Sequence, residues 1–421
     1  MNRTRLLAGT AVAALALGLT ACSGDAEGGS GGEDDGDVTL GFYTDKAAWE
    51  PSFEAMNEAS SADGTTLDFT GYADATAYDS FIKQSFRTRQ VPDLFTWHTG
   101  AQLGELVEQG LVAETTDLWT QAEADGLVPD GLKDNYTYDG KQYCVPLNVA
   151  YWAMYYNKKV FEEHGIEVPE TFEDLMAAAE KLKAEGVTPF HQMNIIFEFV
   201  WFQALLAGRA PEVYQGLQTG EASYLDPEVV EVMNQWRQMI QDGYFIDPGV
   251  STDPQTLLST GEVAMAYFGT FFTGQLTDID AVSGEDYGIF PVPSMDPGAG
   301  GQMILETGPL CVGAGAENEE RALEYSAWWM TDDAQTAWTA ERGDVSFNPD
   351  VTVEDPELQK LVDAVSADEF TIQQRYLEAN PLPVYTLSTE IFGDFVTNAP
   401  EPTEGLERLQ AEAETYWSEQ G

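Results

Sequence analysis

Basic residues are scarce in this sequence: 19 Lys and Arg stand against 72 Asp and Glu, a formal charge of −53 at pH 7. Such a field repels phosphodiester backbones and anionic headgroups, which argues against nucleic-acid binding and against adsorption to a membrane surface. Histidine and cysteine are scarce as well, with three of each in 421 residues. The histidines are scattered and no His or Cys spacing fits zinc, so neither a metal nor a cofactor is expected. The apolar run from Leu6 to Leu19 is short for a helix that spans a bilayer. Aromatic residues are not scarce, at 12%. With an ordinary apolar content, the acid therefore coats a folded protein rather than signalling disorder. The length is too great for one compact core and points to two or three domains.

The N-terminus carries an address. Arg3 and Arg5 precede the apolar run, which ends in Leu19-Thr20-Ala21-Cys22. That pattern resembles the bacterial lipobox, which implies a signal peptide over residues 1–21 and an acylated Cys22 as the mature N-terminus. Residues 22–37 are then a lipid-anchored, flexible, self-repelling tether of Gly, Ser, Asp and Glu. Gly28-Gly29-Ser30-Gly31-Gly32 fits the Gly-x-Ser-x-Gly pattern of serine hydrolases by letter. That chemistry needs a strand before the serine and a helix after it, and a tether supplies neither.

From Val38 onward, strands and helices alternate. Val38 to Tyr43 reads as a strand, residues 50–59 as a helix, Thr66 to Tyr72 as a second strand. Tyr78, Phe81, Ile82 and Phe86 fall on one helical face, and Pro92 to Trp97 is a third strand. This alternation predicts an α/β fold with a mostly parallel sheet covered on both faces. Ligands of such sheets bind beyond the carboxyl ends of the strands, which selects Tyr43, Asp45, Tyr72, Asp74, Trp97 and His98. Further along, Thr171 with Asp174 opens a helix that stops at Gly186. Asp226-Pro227 opens another, whose Val229, Val232, Met233, Trp236, Met239 and Ile240 form a core stripe.

The stretch from Gly140 to Phe161 is too long and aromatic for one ordinary strand. Pro146 and Asn148 interrupt it, so it reads as two strands joined by a bend. Its Tyr138-Asp139-Gly140-Lys141-x-Tyr143-x-Val145-Pro146 turn and strand, followed by Tyr155-Tyr156-Asn157-Lys158-Lys159-Val160-Phe161, resembles the extracellular solute-binding proteins of carbohydrate ABC importers. In that family the segment is where the chain first crosses between lobes. Gly261 to Gly269 resembles the family's middle region, and Glu306 to Val312 its returning hinge strand. The resemblance runs from Val38 to about Ala411, over several segments of moderate specificity.

It implies a two-lobed, periplasmic-binding-protein-like fold with hinge crossings. Residues 38–145 and 312–360 would form the first lobe, 146–311 and 361–421 the second. It also implies a sugar ligand, an oligosaccharide by preference, held between the lobes without catalysis. The partners would be the transmembrane subunits of an ABC permease, the protein a monomer at the outer face of the cell membrane. Substrate contacts implied on the first lobe are Asp45, Trp49, Asp74, Trp97 and His98. Asn148 and Trp152 follow at the hinge, then Glu198 and Trp201 at a helix start. Phe271 stands where many relatives place a cleft Trp. Glu306 precedes the second crossing, and Arg342 and Asp344 lie where a loop reaches the rim. Each aromatic has a plainer alternative as core, and Arg342 as a surface ion pair. Flat rings and carboxylates suit a sugar, which offers C–H faces and hydroxyl edges. Binding would close the lobes by shifting an equilibrium between open and closed forms.

The resemblance also makes Cys144 and Cys311 neighbours, one on each crossing strand; they are either disulfide-bonded or two buried thiols. Two rivals share the sugar. A secreted glycoside hydrolase needs two carboxylates across the scissile bond, and among so many acidic residues some pair always offers itself. A surface adhesin would present a lectin-like cleft without a transport partner.

Overall fold

The computed structural model describes residues 36–88, 90–129, 131–367 and 369–420. The leader, Cys22, the Gly-Ser-Gly motif and nearly all of the tether lie outside the described residues.

Among the described residues, eleven strands are β1 Val38–Thr44, β2 Thr65–Gly71, β3 Leu94–Thr96, β4 Thr137–Tyr138, β5 Lys141–Gln142, β6 Val145–Asn157, β7 Thr188–Phe190, β8 Val263–Gly269, β9 Tyr287–Phe290, β10 Gln302–Val312 and β11 Thr371–Gln374. Nine of them make one sheet in the order β2-β1-β3-β10-β6-β8-β7, with β11 beside β10 and β9 beside β6. The β4–β5 hairpin turns at Asp139 and Gly140, both at positive φ, as an Asp-Gly turn requires.

The expectation of a mostly parallel sheet needs correcting. β1 pairs in parallel with β2 and β3, β7 with β8, and β10 with β11, but β10 and β6 run antiparallel to each other and to β3, β8 and β9. The reason is that β6 carries the chain out and β10 brings it back, so the two crossings must oppose.

The reading of β6 as two strands also needs correcting. It is one strand of 13 residues. The ladder to β10 shifts register between Gly308 and Pro309, placing Pro309 opposite Pro146. Neither proline has an N–H to offer the ladder, so a bulge there absorbs both without ending the strand.

The apolar interior divides into two large clusters. The first gathers Leu40, Phe42, Trp119, Val145, Val149, Leu305, Trp329 and Phe347. The second gathers Trp152, Trp201, Trp236, Met265, Ile304, Tyr376, Phe392 and Leu409. The chain passes from one to the other between Val149 and Trp152 and returns between Ile304 and Leu305. The fold is α/β and two-lobed. Beside the first passage, Cys144 is disulfide-bonded to Cys311, with Cα atoms 4.1 Å apart. Locally legible helices form as expected. Thr171 and Asp174 make a reciprocal capping box, and the helix Pro227–Gln241 buries Val229, Val232, Met233, Trp236 and Met239. Among the described residues no helix is long and apolar enough to cross a membrane.

Candidate functional site

The crossing strands decide which side chains can meet. In an antiparallel ladder, residues directly opposite share a face. Trp152 faces Ile304, Ala150 faces Glu306 and Asn148 faces Gly308, so these six lie on one side of the sheet. Val149 with Thr307 and Tyr151 with Leu305 lie on the other.

The first of these sides receives strand ends. β3 runs antiparallel to β10 and β11 parallel to it along the same edge, so their carboxyl ends meet over residues 306–308. Trp97 N donates to Pro309 O at 3.4 Å, Arg375 N to Leu305 O at 3.0 Å. Gly100 allows the meeting: it sits at φ +62, and a Cβ there would come within 2.6 Å of Glu378 O.

A buried charge network occupies this place. Arg375 Nη1 lies 2.6 Å from Glu306 Oε2, and Arg375 Nε donates to Glu378 Oε2 at 2.7 Å, with a second contact from Nη2 to the same carboxylate. Trp152 Nε1 donates to Glu306 Oε2 at 3.0 Å. Burial pushes the Glu306 carboxyl up; Arg375 opposes this, Glu378 adds to it, and Lys46 and the Trp152 N–H oppose it. The Arg375 guanidinium is held above its ordinary value, since the two carboxylates outweigh its own burial. One cation between two carboxylates leaves the trio negative, with the indole as a further donor.

Asp45 and Lys46 enter from the carboxyl end of β1. Lys46 Nζ donates to both Asp45 oxygens, at 3.1 and 3.2 Å, and Thr96 Oγ1 donates to Asp45 at 2.9 Å. Burial alone would raise the Asp45 carboxyl, but Lys46 and Thr96 prevail and hold it at about 2. A Cβ at Gly308 would meet Asn148 Oδ1 at 2.9 Å and Lys46 Cε at 3.9 Å, so both groups close on the glycine. Asn148 is 6% exposed and its Oδ1 is buried with no partner among the described residues.

From the second cluster come Phe197, Phe271 and Glu198. The Phe197 and Phe271 rings stack at 6.2 Å, and each meets Trp152 edge-on, at 5.2 and 6.0 Å. Glu198 is buried with its Oε2 unpartnered among the described residues, and burial pushes its carboxyl up to about 7. Arg342 lies over the Trp49 ring at 4.5 Å and reaches Ser52 Oγ at 3.3 Å. Its carbonyl closes on Gly274 of the helix Phe272–Thr277. Asp344 is buried; its carboxyl is pushed up to about 7 by burial, against hydrogen bonds from Thr270 and the Val345 N–H.

The structure thus gathers Asp45, Asn148, Trp152 and Glu306 directly, with Phe271, Glu198, Arg342 and Asp344 on flanking segments. Four expected residues lie differently. Trp201 is core: its Nε1 donates to His191 O at 3.1 Å and its ring packs on Phe190 and Phe245. Trp97, 5% exposed, donates to Gln102 O at 3.0 Å. Asp74 is exposed and accepts from Ala77 N at 2.7 Å at the start of the helix Ala75–Thr88. His98 stands 3.8 Å from Asp79 and edge-on to Trp97. Arg375, Glu378 and Lys46 were not foreseen. The signal for Arg375 was its rarity as a cation, just after a short polar strand that no periodicity marks.

A cavity of about 650 Å³ lies elsewhere, on the opposite face of the crossing strands beside Val149, Tyr151 and Leu305. None of the site residues gathered on the first face lines it. Strand carboxyl ends, buried charge and unpartnered polar atoms converge on the first face, which is the better candidate for the principal site.

The model of the bacterial extracellular solute-binding protein family matches residues 52–364, well over half of the chain. This chain belongs to that family. The solute-binding protein is 25% identical over 291 residues to an uncharacterized ABC transporter extracellular-binding protein of Pyrococcus horikoshii. That alignment covers 66% of this chain and 64% of the relative. Among solved structures, it resembles a chitin oligosaccharide binding protein with a TM-score of 0.78 and 20% identity, over 90% of this chain and 98% of that one. It also resembles a chain solved in work on xylan utilization by the thermophilic bacterium Caldanaerobius polysaccharolyticus, with a TM-score of 0.77 and 18% identity, over 89% and 100%. At these identities the structural likeness is one of fold.

Proposed function

We propose that this solute-binding protein captures a sugar, an oligosaccharide by preference, on the Glu306 face of its crossing strands and delivers it unaltered to the transmembrane subunits of an ABC permease. The observation that carries the reading is the trio Glu306, Arg375 and Glu378 beside Trp152 and Asn148. Carboxylates and an unpartnered amide oxygen accept from hydroxyls, while Phe197 and Phe271 offer flat surface to C–H faces. The two similar structures, one a chitin oligosaccharide binding protein and one from work on xylan utilization, support the ligand class. Asp45 joins this group, Trp49, Glu198, Arg342 and Asp344 are assigned to its rim, and Trp97 and His98 to its support.

In the same reading Cys22 is acylated and holds the monomeric protein at the outer face of the cell membrane. The two lobes move about Val149–Trp152 and Ile304–Leu305, where the chain changes core. The test is a thermal-shift screen of residues 37–421 against neutral mono- and oligosaccharides, since a ligand bound to the native state raises the melting temperature. A rise with one sugar series, with that sugar recovered intact, supports the reading. No rise across the panel, or a cleaved product, refutes it.

A further inference from the structure

The cavity behind the crossing strands has a chemistry of its own. Its floor is Tyr151 and Leu305, neighbours in sequence of Trp152 and Glu306 but on the other face. Phe347 and Asn135 wall it from segments packed into the first core. Gln218 walls it from the helix Pro211–Thr219, whose Tyr214 and Leu217 belong to the second core, and Gln374 closes it at the end of β11. About 650 Å³ is within the size of small-molecule sites, roughly 300–1,000 Å³.

The polar groups here are mostly amides and hydroxyls, with a single carboxylate among the described residues. Gln218 Nε2 is buried with no partner, and the Tyr151 hydroxyl makes no hydrogen bond among the described residues. Gln374 Nε2 is held by Thr99 Oγ1 at 3.0 Å, which fixes that side chain. An amide offers a donor and an acceptor side by side, the pattern that vicinal hydroxyls present in return. Tyr151 and Phe347 supply aromatic surface for C–H groups. The described lining holds no cation, and its one carboxylate, Asp134, opposes an anion.

We propose that this cavity is a second binding site, for an uncharged saccharide or polyol, separate from the site on the Glu306 face. Because segments packed into each core line it, a ligand there touches both segments.

The test uses residues 37–421, which form one compact unit. Equilibrium dialysis at millimolar glucose, N-acetylglucosamine, xylobiose, cellobiose and glycerol is run on Glu306→Gln, which weakens the other site, and on Glu306→Gln with Gln218→Leu. At least one probe should be retained by the single variant, and its affinity should fall about tenfold or more in the double variant, the loss of a hydrogen bond to a buried amide. Tyr151→Phe is a second probe of the same cavity should Gln218→Leu lower the melting temperature. No retention by Glu306→Gln, or retention that neither cavity substitution changes, overturns the second site. Preference for glucose 6-phosphate or glucuronate over glucose overturns the ligand class. Binding by the unsubstituted protein is measured alongside, so failure here is distinct from failure of the site on the Glu306 face.

Discussion

Trp152 on β6 donates its indole N–H to Glu306 on β10, 154 residues later in the chain, across 3.0 Å. The bond ties the outgoing crossing to the returning one at the point where the chain changes core. Glu306→Gln keeps the shape and removes the charge, so Arg375 retains Glu378 while the site loses an anionic acceptor. Saccharide affinity should fall about tenfold or more, as hydrogen bonds to charged groups contribute roughly 1.5–3 kcal/mol. Titration calorimetry reads this directly.

Arg375→Met should act on folding first. It leaves Glu306 and Glu378 buried without their shared cation, and breaking such a pair costs about 3–5 kcal/mol. Denaturant melts should show this loss. Replacing all three residues with apolar ones of similar volume should recover much of the stability but none of the binding.

Cys144→Ser should cost about 2–5 kcal/mol, chiefly by freeing the unfolded chain from a bridge between distant residues. The same loss should appear when the unsubstituted protein is melted in reductant, and reductant should not move the midpoint of the variant.

Stability should depend on pH through Glu198 and Asp344, whose carboxyls burial pushes up to about 7 from 4.5 and 3.8. Between those values the native state keeps protons that the unfolded chain has lost. Their contribution is therefore full at low pH and disappears as pH rises toward 7. Relative to Glu198→Gln, which does not titrate, the unsubstituted protein should lose melting temperature between about pH 5 and pH 8. A constant difference across that range would show that Glu198 is not held protonated.

The sequence disclosed what local rules govern. The first strands and helices, the Thr171 capping box and the Asp226-Pro227 start depend on neighbours in the chain, and they stand as read. It misjudged β6 because Pro146 breaks a strand only when its partner needs the missing N–H, and here the partner at the bulge is Pro309. It could not tell a site tryptophan from a core one. Trp97, Trp152 and Trp201 are all buried, and what separates them is whether the indole donates to a backbone carbonyl or to Glu306. For that reason Trp97→Ala and Trp152→Ala should each cost folding stability, about 3–5 kcal/mol, and Trp152→Phe is the cleaner probe of binding. Arg375 and Glu378 escaped notice because they start a helix of only four residues, Tyr376–Ala379, directly after β11, Thr371-Ile372-Gln373-Gln374, whose strand character comes only from lying beside β10.

The most direct measurement is calorimetric titration of residues 37–421 with the saccharide that gives the largest thermal shift, on the unsubstituted protein and on Glu306→Gln, with the sugar examined afterwards. Saturable binding that weakens about tenfold or more in the variant, at little change in melting temperature and with the sugar intact, is the expected result. Equal affinity in both proteins, or a cleaved sugar, would contradict it.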